Sequence, residues 1–330
     1  MTKRFLFLGL FCVLLPSNLY SDDSAVEIYS GTAKLMGSHP SIQMIGEDVT
    51  IILSTAGSYD VDAIFRFYNE DKSTTVLVGF PMKGFQPGED YAAGEFRSFY
   101  TYINDKEVSA SERYDQFERN GVVIDAKWKV KEVYFPKNTE TATRVKYTAP
   151  YGETTGANFV NYIIGTGASW HGNIGPSTFT VIFPDNLNLD LRNPFSNDSV
   201  LWRRHVFRRT RNSMVWVTPE FKPKEREFFS FDIYIYRQPW EDSQYSNKLV
   251  GSRLLEKLTL LQLKILRNEM FAVHGRVFTD PVLKKYFSSK TWYSPKEDFA
   301  ESSLTSIERK NVKRILEYEK YLMSIPELNP

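Results

Sequence analysis

LKILRNEMFAVHGRVFTDPVLKKYFSSKTWY, running from Leu263 to Tyr293, sets two helical periods end to end with their stop and start signals between them. Leu263, Leu266, Met270 and Val273 recur at three-and-four spacing, which stacks them on one helix face, and Arg267, Phe271 and His274 border that stripe. Upstream, Thr259 and Gln262 have the spacing at which a cap hydroxyl and a third-residue amide satisfy each other's backbone donors, so the helix starts there. Gly275 ends it, because glycine takes the left-handed conformation that follows a last turn. Asp280 then caps a second helix with Pro281 at its first position and Val282, Leu283, Tyr286 and Phe287 on its inner side. Trp292 and Tyr293 close the unit, and Pro295 blocks an immediate return to helix. A third helix follows Thr305, which has capping-box spacing to Glu308. Its stripe reads Leu304, Ile307, Asn311, Ile315, Tyr318 and Leu322.

The ordered series Arg267-Asn268, FAVHG at Phe271 to Gly275, Phe278, Leu283, Phe287, Trp292-Tyr293, Glu308 and Asn311 resembles the bacterial YARHG domain over roughly the last quarter of the chain. Two letters of the name-giving motif differ. Phe271 stands where the family has tyrosine and Val273 where it has arginine, so a role that needs that hydroxyl or guanidinium does not carry over. The resemblance implies an extracytoplasmic module, attached to varied partners and without an established activity. Its motif positions are Arg267, Asn268, Phe271, His274, Gly275, Trp292, Tyr293, Glu308 and Asn311. Polar groups on or beside an apolar stripe must find partners, so Arg267, Asn268, His274, Glu308 and Asn311 are expected to form a structural network. The functional alternative is a small-ligand or peptide pocket ringed by Trp292 and Tyr293.

Met1 to Ser21 has the layout of a secretory signal peptide: Lys3 and Arg4, an apolar run from Phe5 to Leu15, then Pro16 and small or polar residues. That run is shorter than the ~20 residues of a bilayer-spanning helix, so no transmembrane helix is expected in the mature chain. Bulky Phe11 ahead of Cys12 argues against a lipid-attachment site. Removal of residues 1–21 takes away the one cysteine, which leaves the exported protein without disulfide or thiol chemistry. The remaining length exceeds the ~250 to 300 residues at which single cores stop growing, so the chain is expected to be multidomain. A net charge of +1 gives no global attraction to nucleic acid.

Residues from about Ala25 to Arg237 read as short strands separated by Asn, Asp, Gly and Pro turns, the pattern of a mainly-β, sandwich-like region. Asp60 to Phe67 largely alternates, and Thr75 to Phe80 could return beside it as a hairpin. Asn104-Asp105-Lys106 is a turn, and Lys127 to Phe135, Arg144 to Ala149 and Thr178 to Phe183 are further strands. Between Tyr162 and Gly175, four glycines surround Trp170, which implies a close-packed turn with the indole buried or displayed on a flat surface. Gly79 to Pro81, the Trp128 strand and this glycine segment make the region similar to an uncharacterised bacterial secreted β-rich family. The polar, aperiodic stretch 239–247 reads as a linker. The expected organisation is a β-rich region in two halves, 22–150 and 151–238, which form two domains or one, then the linker and a small all-α, about three-helix domain at 248–330.

No catalytic constellation emerges. Gly167-Ala168-Ser169-Trp170-His171-Gly172 places two residues between serine and the second glycine, whereas a nucleophile elbow needs one, on a strand-to-helix turn. His39, His171, His205 and His274 lack zinc-site spacing, so neither metal nor cofactor is expected. Carboxylates such as Asp60 and Asp62 could form a glycosidase pair, which needs two acids about 5 to 9.5 Å apart, but an alternating acid pair on a strand is ordinarily a solvated face. Arg203, Arg204, Arg208, Arg209 and Arg211, beside Trp202, Phe207 and Trp216, form a candidate patch for an anionic partner, or else a hairpin whose arginines are solvated or paired with neighbouring acids. The reading favoured is an exported envelope protein, periplasmic or extracellular, that binds a cell-wall polymer or an envelope protein and not nucleic acid. An envelope hydrolase with a carboxylate site in the β-rich region, targeted by the helical domain, is the alternative.

Overall fold

Alternation of buried and outward residues builds the body of the protein, seen here in a computed structural model. The structure describes residues 30–31, 34–37, 39–85, 96–119, 122–154, 156–195, 199, 201, 204–224, 227–235, 237–241 and 244–328, so the expected signal segment lies outside it. In Ser58–Asn69, Val61, Ala63, Phe65 and Phe67 point inward and are fully buried, while Asp60, Asp62 and Arg66 point out. This strand sits inside an eight-stranded sheet ordered Val206–Arg209, Ser213–Thr218, Ser177–Ile182, Ile42–Leu53, Ser58–Asn69, Thr139–Pro150, Ser98–Ile103 and Lys106–Val108. Ser177–Ile182 runs parallel to Ile42–Leu53, which stitches the second half of the β region directly onto the first.

Two smaller sheets cover the buried face. Lys34–Leu35, Thr74–Phe85, Val122–Phe135 and Ser111–Arg119 form one; Ser30–Gly31, Ala157–Ile163, Phe228–Tyr234 and Leu189–Asp190, with Gly152–Thr154 on Ala157–Ile163, form the other. Aromatic contacts join the layers: Phe65 meets Phe80 at 6.5 Å, Phe67 meets Phe135 at 5.6 Å, and Phe179 stacks on Phe229 at 4.9 Å. All three sheets contribute to one hydrophobic core, so the architecture is a sandwich.

The hairpin expected from Asp60–Phe67 and Thr75–Phe80 does not form. Ser58–Asn69 pairs with Ile42–Leu53 and Thr139–Pro150, and the chain crosses to the facing sheet before Thr74. Asn69, fully buried, fixes that corner: its Nδ2 donates to the carbonyls of Lys72 and Phe135 at 3.0 Å each, and its Oδ1 accepts from the Ser41 hydroxyl at 2.9 Å and the Asp71 N–H at 3.2 Å. At Asn104 and Asp105, φ values of 46° and 64° make the two-residue turn that joins Ser98–Ile103 to Lys106–Val108. In the glycine segment the Trp170 indole is buried, 4.4 Å from Phe67. Gly175 passes so close to Ile45 that a Cβ would sit 2.0 Å from its carbonyl oxygen.

Four helices follow: α1 (Ser252–Leu255), α2 (Leu260–Ala272), α3 (Pro281–Ser288) and α4 (Ser306–Ser324). Thr259 and Thr305 both complete reciprocal capping boxes, and the Asp280 carboxylate accepts from the N–H groups of Val282 and Leu283. Leu263, Leu266, Met270, Phe287, Ile315 and Leu322 form a second core, separate from that of the sandwich and joined by Trp240 and Val250. Val273 is 43 % exposed, not part of the stripe, because α2 stops at Ala272 and the chain turns away at Gly275, φ +93°. Val282 also faces out, and Leu283 and Phe287 are the buried side of α3. On α4 the buried line runs Glu308, Asn311, Ile315, Glu319 and Leu322, with Ile307 and Tyr318 at its margin.

Candidate functional site

Two acids on the inner line of α4 find their partners on α2 and in the turn that follows it. Arg267 Nε donates to Glu319 Oε2 at 2.8 Å, and His274 Nε2 lies 2.8 Å from Glu308 Oε2. Glu308 Oε2 also accepts the Thr305 N–H at 2.7 Å, so the acid of the capping box doubles as the histidine's partner. Burial drives the Glu308 carboxyl upward, but the hydrogen bonds from Thr305, His274 and Ser246 outweigh it and hold the group below its ordinary range. Asn311, fully buried, accepts the Val250 N–H at 3.0 Å and donates to the carbonyls of Tyr245 and Lys248 at 2.7 and 2.9 Å. Asn268 turns back to the Lys264 carbonyl at 2.8 Å. These bonds lash α2, α4 and the segment ahead of α1 together.

The remaining motif positions shape the turn after α2. A Cβ on Gly275 would meet Lys296 Cγ at 2.7 Å and the Ser294 carbonyl at 2.8 Å, so glycine is required for space as well as for φ. Phe271 is buried beneath the Arg276 guanidinium, 4.8 Å from the ring centre. Tyr293 donates its hydroxyl to the Arg276 carbonyl at 2.7 Å, while Trp292 is 46 % exposed and leans on Phe287. Trp240 is anchored as well: fully buried, it donates its indole N–H to Glu269 Oε2 at 3.0 Å.

The arginine strip does not form one surface. Arg203 and Trp202 lie outside the described residues, and Arg204 and Arg208 are exposed. Arg209 and Arg211 turn into the junction with the helical unit. Arg209 Nη1 donates to the Glu256 carbonyl at 2.7 Å, and Arg211 Nη1 pairs with Glu327 at 3.0 Å. Lys257 Nζ sits 3.5 Å over the Phe207 ring and 4.7 Å over Trp216. Burial pulls the Lys257 amine down to about 8 and the Arg209 guanidinium to about 10. Gln262 completes the clamp: while its Oε1 accepts the Thr259 N–H, its Nε2 donates to Asn188 Oδ1 at 2.7 Å and the Leu189 carbonyl at 2.9 Å.

Elsewhere, Ser169, Asp60 and Asp62 have structural partners. Ser169 Oγ donates to the Thr166 carbonyl and accepts the Leu35 N–H, both at 3.0 Å. Asp62 accepts from Arg144 Nε at 2.6 Å, and Asp60 accepts from the Thr148 hydroxyl at 2.5 Å. His171 faces solvent. Lys131 is a buried amine that the sequence did not single out; it donates to the Thr101 hydroxyl and the Tyr102 carbonyl, and burial lowers it to about 7. The cavity beside it, about 10 Å³ between Phe65, Phe80 and Val145, has room for one water. Among the described residues no cluster of three His, Cys, Asp or Glu could hold a metal, and no helix is long and apolar enough to cross a membrane.

A sandwich carrying a small, ion-paired helical unit thus defines the class of protein. Residues 237–320 match the YARHG domain. No curated protein matches the chain. Among solved structures, a candidate nutrient-binding protein from Legionella pneumophila subsp. pneumophila str. Philadelphia 1 shares the fold: 21% identity, 90% of this chain and 100% of that chain covered, TM-score 0.50. An M1 zinc metallopeptidase from Deinococcus radiodurans aligns with 59% of this chain and 42% of its own at 9% identity; its TM-score of 0.25 carries no argument.

Proposed function

We propose that this protein is an exported cell-envelope protein, periplasmic or extracellular, that binds a cell-wall polymer or an envelope protein without transforming it. One observation carries the reading. The polar motif side chains Arg267, Asn268, His274, Glu308 and Asn311 are engaged within the fold, whereas Arg204 and Arg208 stand exposed with no acidic partner among the described residues. Guanidinium groups so placed suit the carboxylates or phosphates of an anionic envelope component. The YARHG match and the fold shared with a candidate nutrient-binding protein fit a binding role and name no ligand.

Retention of residues 22–330 on purified envelope fractions tests this. Stable retention that weakens with salt and falls at least about ten-fold in Arg204→Glu/Arg208→Glu is expected, since exposed charges act through screened interactions. Release of a cleaved product, abolished by substitution of one acid in the β region, would make the protein a hydrolase instead.

A further inference from the structure

The outward side of α4 is not used by the helical core, which takes only the opposite line through Ile315 and Leu322. Two adjacent ridges face out, residues 310, 314, 317 and 321 on one and 313, 316, 320 and 323 on the next, following the three-and-four spacing of a helix. They carry four cations, Lys310, Lys313, Arg314 and Lys320, against one acid, Glu317. Among the described residues only Lys313 is paired with an acid, Glu317 at 3.9 Å, with both side chains largely in solvent. The excess of cations is one feature of this face, and an apolar component set among them is the other. The face exposes Leu316, Tyr321 and Met323, the last two at 55 % and 56 %.

We propose that this face of α4 docks on an anionic phospholipid surface. The mixture of groups selects that partner. Leu316 and Met323 can enter the boundary between headgroups and acyl chains while the lysine stems extend and keep their ammonium groups at the phosphates. A soluble polyanion would use the cations and have nothing to offer the two apolar side chains. The two ridges, from residue 310 to residue 323, give a footprint on the order of 20 Å, long enough to meet several headgroups. The orientation is set by the body: the Leu328 N–H donates to Asn212 Oδ1 at 2.7 Å and Asn212 Nδ2 donates back to the Leu328 carbonyl at 3.0 Å, which ties down the chain just beyond the helix. The proposal is independent of what the arginine edge binds, because it concerns pure lipid.

Co-sedimentation of residues 22–330, free of the apolar leader, with vesicles of phosphatidylcholine and phosphatidylglycerol at three to one provides the test, with phosphatidylcholine alone as the comparison. Binding to the anionic vesicles alone, falling several-fold in Lys313→Gln/Lys320→Gln and again in Leu316→Ser/Met323→Ser, is expected. All four positions are on the outer ridges, so melting should be unchanged; if the first pair does shift it, Lys310→Gln/Arg314→Gln repeats the measurement on the neighbouring ridge. Absence of binding, equal binding to neutral vesicles, or full binding by the serine variant would each overturn the proposal, the last by showing a charge contact with no lipid insertion.

Discussion

Glu269 is a carboxyl enclosed by the helical core with the Trp240 indole as its donor, and burial pushes it up to about 7. Because this lies above the ordinary value of 4.5, the folded state holds the proton more tightly than the unfolded chain. The contribution to stability is therefore complete below about 4.5 and is lost as pH rises through about 7. Glu269→Gln keeps an acceptor for the indole without a charge, so it should raise the melting temperature at pH 8, by roughly 2 kcal/mol of stability, and change little at pH 5. Lower stability at pH 8 would mean that the ionised form is held by a partner such as Lys290. Glu308 has the opposite sign: held below its ordinary range, it stabilises at neutral pH and loses that contribution in acid. The network around Arg267, His274, Glu308 and Asn311 was legible because polar letters on an apolar stripe must be paired. Glu319 carries the same signal, four residues beyond Ile315, but the spacing taken for the stripe passed through Tyr318 and so missed it.

Helices were more readable than sheets for a physical reason. Caps act over three or four residues, so Thr259, Asp280 and Thr305 could be placed from their neighbours alone. Alternation in a strand tells which face is buried but not which strand lies beside it, and so the crossing at Asn69 read as a hairpin. The turn after α2 supplies a test at this scale. Gly275→Ala combines a left-handed φ with contacts of 2.7 and 2.8 Å to Lys296 and Ser294, and it should cost about 1–3 kcal/mol. Chemical denaturation checks this, and an unchanged midpoint would show that the turn relaxes freely.

The body and the helical unit are joined by Gln262, Arg209, Lys257 and Asn212, none of which local sequence could assign to a junction, because their partners lie 41 to 116 residues away. Gln262 allows the joint to be weakened without touching the helix cap. Gln262→Glu retains an acceptor for the Thr259 N–H but loses both donors to Asn188 and Leu189 and places a carboxylate against their oxygens. Calorimetry should resolve two transitions in that variant where the parent gives closer coupling; a single unshifted transition would show that the joint does not couple the units. Within the molecule so assembled, the YARHG-like motif is read as a frame and the exposed cations as the binding surface. The most direct measurement is thermal unfolding of Arg267→Ala, made beside its retention on envelope material at a temperature where the variant is folded. Loss of Arg267 leaves Glu319, 8 % exposed, without its counterion, so stability should fall by about 1–3 kcal/mol while retention is unchanged. An unshifted melt with retention abolished would contradict this and make the motif itself the binding site.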